Sequence, residues 1–118
     1  ISISGISEWF SYWEDTEITW THRFRVKLMG EIAKNQALYR ARSPLTYVKN
    51  ISAPMLLLHG ADDNGVPPGQ SLQMANALKS LGKTGEIKIY PEEGHGFVGE
   101  KAITDAAQRI ETFLGLYL

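Results

Sequence analysis

Two short polar segments of this 118-residue sequence carry side chains suited to acid–base chemistry. Residues 59–67 contain Asp62 and Asp63, and residues 91–97 contain His95 between two glycines. A carboxylate beside a histidine fixes the tautomer of the imidazole and stabilises the imidazolium, which is the orienting half of a nucleophilic triad. Glycines beside the histidine permit close approach of the backbone to a substrate. The residue types therefore predict an acid–base pair, provided that the fold brings the two segments together.

The segments that precede these loops have the patterns of strands. Residues 54–60 form a short apolar run between Pro and Gly, which is typical of a strand buried on both faces of a parallel sheet. Residues 87–90 alternate in the manner of a half-exposed strand. In open α/β sheets, functional groups collect just beyond the carboxyl ends of the strands. We therefore expect both polar segments at the same rim of the sheet.

Helices are predicted after each of these strands. Apolar residues recur every third position from Leu72 to Leu81 and Gly82 follows them, so a helix is expected there. Residues 103–117 carry an apolar stripe at helical spacing, which predicts a closing amphipathic helix. Residues 30–50 show weak periodicity and are interpreted as a connection with one or two helical turns. The alternation of strand and helix predicts an α/β fold with helices packed on a parallel sheet.

The two loops and their surroundings carry a combination of family motifs. The pattern His-Gly-x-x-Asp-x-x-Val-Pro is followed further along the chain by Gly-His-Gly-Phe, and the matching residues are Ser43-Pro44, residues 54–60, Asp63, Val66-Pro67, Gln70-Ser71, Tyr90-Pro91 and residues 94–97. On these residues the chain resembles the C-terminal part of the α/β-hydrolase catalytic domain of the prolyl oligopeptidase family of serine peptidases. The acylaminoacyl-peptidase-like and dipeptidyl-peptidase-like branches are the most similar. The resemblance covers nearly the whole chain.

The resemblance implies roles for several residues. Asp63 would be the triad acid and His95 the general base, in the chain order Ser, Asp, His of α/β-hydrolases. Asp62 competes for the acid role, but counting from the flanking motifs favours Asp63, which leaves Asp62 as a capping or solvated loop residue. Residues 61–66, which contain Asp63, are the acid loop. His59 would end the strand below this loop and hydrogen-bond to backbone. The alternative interpretation is that His95 is an ordinary loop histidine with no catalytic role.

An aromatic segment near the start of the chain has two interpretations. Trp9, Tyr12 and Trp13 follow helical spacing, which is the usual pattern of core aromatics. The resemblance implies instead that this helix forms the walls of the pocket for the residue before the scissile bond. Val66, beside the acid loop, would lie near the same pocket.

The nucleophile of such an enzyme is missing from the sequence. No G-x-S-x-G elbow occurs in residues 1–118. The resemblance implies that this element precedes the strand predicted at residues 1–5, so we expect the chain to be a C-terminal part of a peptidase catalytic domain that lacks the nucleophile-bearing part. Alone it is expected to be inactive, and to self-associate through the exposed sheet edge at residues 1–5. The alternatives are part of an esterase-type α/β-hydrolase and a non-catalytic α/β interaction module.

The amino-acid composition limits the classes of binding partner and metal site that the chain could have. Twelve basic and thirteen acidic residues give a net charge of −1, so no field favours nucleic acid or an anionic membrane. The sequence has no cysteine, which excludes a cysteine nucleophile and thiolate zinc sites. A metal site from His59, Asp62, Asp63 and His95 lacks a short-spaced ligand pair. We expect a peptide substrate, the nucleophile-bearing part of the same domain as a partner, and neither a metal nor an organic cofactor.

Overall fold

The fold is a three-stranded parallel sheet with β2 in the centre. The computed structural model describes residues 1–15 and 19–118, apart from the side chains of residues 15 and 19–21. The strands are β1 (Ser2–Ile3), β2 (Met55–Gly60) and β3 (Gly85–Tyr90), in the order β1-β2-β3. Leu57 of β2 lies opposite both neighbouring strands, and its partners are Ser2 and Ile87. The predicted α/β fold with a parallel sheet is confirmed.

Helices connect and cover these strands. They are α1 (Trp9–Asp15), α2 (Thr19–Met29), α3 (Gln36–Ala41), α4 (Gly69–Ser80) and α5 (Glu100–Tyr117), with 3-10 helices at Ile32–Lys34 and Pro44–Asn50. Residues 30–50 are thus more regular than predicted, because three short helices fill the expected connection. The first strand is shorter than residues 1–5, since Ser4 turns out of it with a φ of 49°. None of the helices in the described part of the chain is long and apolar enough to span a membrane.

The central strand is buried on both faces. Leu56 and Leu58 lie on one face in a cluster with Phe113 of α5, and both leucines are at most 1% exposed. Leu57 lies on the other face with Leu78 of α4. Successive side chains of a strand point to opposite faces, so an unbroken run of leucines fits only a sheet covered on both sides. The two-sided core fixes β2, and with it the loop that follows Gly60.

Helix α4 also anchors the start of α1. The buried side chain of Gln70 accepts hydrogen bonds through Oε1 from the backbone N–H groups of Ser7 (3.0 Å) and Glu8 (2.9 Å). The Glu8 carboxylate in turn accepts the N–H groups of Phe10 (3.0 Å) and Ser11 (2.7 Å), which are free donors of the first helical turn. Burial of Glu8 would raise its pKa, but these hydrogen bonds lower it below the usual value. The aromatic helix α1 is therefore fixed to the element that follows the acid loop.

Candidate active site

The loops after β2 and β3 bring Asp63 and His95 into contact. His95 Nδ1 lies 2.9 Å from Oδ2 of Asp63 and 3.2 Å from Oδ1. The Asp63 side chain is closed to solvent, whereas the His95 side chain is 58% exposed. A carboxylate acceptor requires the proton on Nδ1, so Nε2 of a neutral His95 is a free base. Within the described part of the chain Nε2 makes no hydrogen bond.

The acid loop folds around the carboxylate of Asp63. Its Oδ1 accepts hydrogen bonds from the backbone N–H groups of Gly65 (2.9 Å) and Val66 (2.7 Å), the local turn that Asp side chains favour. Burial would raise the pKa of Asp63, but the hydrogen bonds from Val66 N–H and His95 outweigh it and hold this pKa below its usual value. Asp63 is therefore a carboxylate at neutral pH.

The neighbouring residues Asp62 and Asp63 differ in their burial and in their contacts. Asp62 is exposed, and its backbone N–H donates to the carbonyl oxygen of Glu93 (2.9 Å). Asp63 is the one whose carboxylate meets His95. The geometry of the acid–base pair therefore matches the preference for Asp63, while the catalytic role of either residue stays a prediction.

The His95 loop is closed by a glutamate that the sequence analysis did not single out. The buried Glu93 carboxylate accepts hydrogen bonds from the backbone N–H groups of Val98 (2.8 Å) and Gly99 (3.1 Å), at the start of α5. Gly96, next to His95, has a φ of 82°, a conformation that favours glycine. The only sequence signal for Glu93 is its place two residues before the histidine. Glu93 links the end of β3 to α5 and thereby fixes the loop that presents His95.

His59 lies below the acid loop at the end of β2. Its side chain is completely buried, with Nε2 2.7 Å from the carbonyl oxygen of Val66 and Nδ1 2.7 Å from Ser71 Oγ. The expected hydrogen bond to backbone is present, and the Ser71 contact was not predicted, although Gln70-Ser71 belongs to the matched motif. Among the residues that the structure describes, no group of three or more His, Cys, Asp or Glu side chains could hold a metal ion.

The aromatic segment contacts the acid loop through Tyr12. Tyr12 is 4% exposed, and its hydroxyl donates to the carbonyl oxygen of Gly65 (3.0 Å). Trp9 is half-buried, packs edge-on against Tyr12 with 5.5 Å between ring centroids, and donates its indole N–H to the carbonyl of Arg42. Trp13 is also half-buried and lies against the exposed ring of His22. Tyr12 is thus a core residue that also touches the acid loop, and the use of these rings by a substrate stays a prediction.

Known proteins are similar to this chain in sequence and fold. The sequence model of the prolyl oligopeptidase family matches residues 1–118. The chain is 38% identical over 58 residues to acylamino-acid-releasing enzyme 1 of Oryza sativa subsp. japonica, a match covering 49% of this chain and 8% of that protein.

Two solved structures extend the similarity over almost the entire chain. A puromycin-hydrolyzing peptidase of Mycobacterium tuberculosis superposes with a TM-score of 0.93 at 29% identity, covering 99% of this chain and 18% of that one. An acylaminoacyl peptidase in complex with Z-Gly-Gly-Phe-chloromethyl ketone has a TM-score of 0.79 at 31% identity, covering 98% of this chain and 18% of that one. The chain thus spans less than a fifth of each of these three proteins. It belongs to the prolyl oligopeptidase family.

Proposed function

We propose that the chain supplies the acid and the general base of a serine peptidase triad, with Asp63 as the acid and His95 as the base. The contact between His95 Nδ1 and the buried Oδ2 of Asp63 carries this proposal. It aligns the imidazole while leaving the ring exposed to an incoming nucleophile. Residues 1–118 are then the C-terminal part of the catalytic domain, and the nucleophilic serine belongs to a part of the protein outside them.

The proposed reaction is acyl transfer to that serine and then to water. His95 Nε2 takes the proton of the serine hydroxyl as the serine oxygen attacks the carbonyl carbon of the peptide. The tetrahedral intermediate breaks its C–N bond, and His95 gives the proton to the leaving amine. Water, deprotonated by His95, then attacks the acyl carbon, the ester C–O bond breaks, and His95 returns the proton to the serine oxygen. Asp63 stays ionised throughout and stabilises the imidazolium.

We propose a short peptide as the substrate, with an apolar or aromatic residue before the scissile bond. Trp9, Tyr12, Trp13 and Val66 would form the walls of its pocket. The hydrogen bond from Tyr12 to the carbonyl of Gly65 places α1 beside the acid loop, which supports this assignment. The related acylaminoacyl peptidase structure contains a phenylalanine chloromethyl ketone, which agrees with an apolar residue at that position. Self-association through the edge of β1 remains a prediction for the chain without its partner part.

The triad is tested in the full-length protein that contains this chain. Asp63→Asn is expected to lower kcat by about 10⁴-fold, since it reverses the tautomer of His95, and His95→Ala to lower it at least as much. Asp62→Asn is the matched control and is expected to keep kcat. A fluorophosphonate probe is expected to label the full-length protein and to leave the isolated 118 residues unlabelled.

Wild-type turnover in Asp63→Asn or His95→Ala would reject the triad assignment. Loss of turnover in Asp62→Asn alone would move the acid role to Asp62. Labelling of the isolated chain would show that a nucleophile lies within it.

A further inference from the structure

His59 is a buried polar side chain that the proposed reaction does not use. It is the second-last residue of the central strand, its side chain has no exposed surface, and both ring nitrogens have partners at 2.7 Å. An aliphatic side chain would fill this core position without two polar atoms that need hydrogen-bond partners. A buried imidazole here therefore points to a role for its hydrogen bonds.

The partners of the ring determine where its proton lies. Val66 contributes a carbonyl oxygen, which only accepts, so Nε2 must carry a hydrogen. Ser71 contributes a hydroxyl, which donates to Nδ1 when the imidazole is neutral. The Val66 carbonyl and Ser71 thus hold both ring nitrogens of His59 and keep an N–H at Nε2.

The His59 ring is connected to the Asp63 carboxylate in two ways. The peptide groups of Val66 connect them, since its carbonyl accepts from His59 and its N–H donates to Oδ1 of Asp63 at 2.7 Å. The ring also lies directly beside the carboxylate, with Nε2 3.3 Å from Oδ2, the oxygen that faces His95. The Nε2 hydrogen points to the Val66 carbonyl and brings the positive edge of the ring against Oδ2.

We propose that His59, held by Ser71 with an N–H at Nε2, is a positioning residue that directs the Asp63 carboxylate at His95. This inference rests on the proposed function. His59 fixes the end of the acid loop through the Val66 carbonyl and limits rotation of the carboxylate through the contact with Oδ2.

The test compares variants of His59 and Ser71 in the full-length protein. His59→Leu is expected to lower kcat by about 10²-fold with little change in KM, because an error of about 1 Å in the position of a catalytic group costs that much. His59→Gln keeps a neutral N–H donor at the reach of Nε2 and is expected to recover most of kcat. Ser71→Ala keeps the ring but removes the donor to Nδ1, so kcat is expected to fall to a value between those of the wild type and His59→Leu.

Met74→Ala is the control for a merely structural effect. Met74 is a buried residue of α4 in the core cluster of Leu57 and Leu78, so its truncation is expected to lower stability while kcat per folded molecule stays unchanged. The proposal is overturned by wild-type kcat in His59→Leu, or by a loss of kcat in His59→Gln equal to that in His59→Leu. If His59→Leu does not fold, Ser71→Ala decides, and wild-type kcat there overturns the proposal.

Failure of this inference differs from failure of the proposed function. Fluorophosphonate labelling of the wild type and inactivity of Asp63→Asn, together with normal kcat in His59→Leu, would reject only the role of His59. An active Asp63→Asn variant would reject the triad itself, and the role of His59 with it.

Discussion

A methyl group at Gly60 tests how the loops that carry Asp63 and His95 are held together. Gly60 ends β2, and the residues after it bond to the other loop, with Ala61 N–H donating to the carbonyl of Tyr90 and Asp62 N–H to that of Glu93. A Cβ at Gly60 would lie 2.7 Å from the carbonyl carbon of Glu93 and closer still to its oxygen and that of Gly94. These atoms are backbone and belong to the segment that presents His95.

The size of the effect follows from this overlap. Carbon atoms in contact are normally about 3.5–4.0 Å apart, so the strand end and the His95 loop must separate by about 1 Å. Overpacking of this kind costs about 1–3 kcal/mol of stability. A displacement of about 1 Å between acid and base corresponds to a loss of about 10²-fold in kcat. Gly60→Ala is therefore expected to impair turnover more than its modest destabilisation would suggest.

The assay measures kcat and thermal stability of Gly60→Ala in the full-length protein, with Gly69→Ala as the matched control. Gly69 begins α4, and a Cβ there meets no atom within 4 Å. Gly69→Ala is expected to keep kcat and to raise stability by about 0.4–1 kcal/mol, since alanine has less conformational freedom in the unfolded chain. Full activity and stability in Gly60→Ala would refute the close packing of the two loops.

Two further predictions concern the core and the pH dependence of stability. Leu58→Ala removes a fully buried side chain between β2 and α5 and is expected to cost about 2–5 kcal/mol, measured by chemical denaturation; a loss below about 1 kcal/mol would contradict the packing. Burial and the hydrogen bond to Asp105 raise the pKa of Tyr90 to about 12. The folded state thus holds this proton more tightly, so its contribution to stability is complete below pH 10 and is lost as the pH rises from about 10 to 12. Thermal denaturation of the wild type and Tyr90→Phe over that range tests this, because the variant should lack this part of the decline.

The strands and the contact between Asp63 and His95 were predictable because their signals are local. A run of leucines between a proline and a glycine fits a doubly covered strand, and the polar loops follow directly from the strands. Parallel strands end at one rim, so Asp63 and His95 meet although 32 positions separate them. Counting from the flanking motifs favoured Asp63 over Asp62, and Asp63 is the one whose carboxylate contacts His95, while its role as the triad acid stays a prediction.

The supporting contacts were not predictable because they join segments that are distant in sequence. Nothing local to Ser71 indicates that its hydroxyl meets the ring of His59. The bounds of helix α3 were not predicted, because six residues are too few to show a clear apolar period. Its Tyr39 is nevertheless completely buried and packs against Trp13, so tertiary contacts rather than local preference stabilise this helix.

Helical spacing alone could not decide between core and pocket for Tyr12, and its role in a pocket stays a prediction. Its ring is buried, yet its hydroxyl holds the carbonyl of Gly65, next to Val66, whose carbonyl is held by His59. The acid loop is thus fixed from two sides, by α1 and by the end of β2, and a substrate that displaces the ring of Tyr12 would strain the loop that carries Asp63. If a substrate occupies the proposed pocket, we therefore expect its binding to affect the alignment of Asp63 through Tyr12.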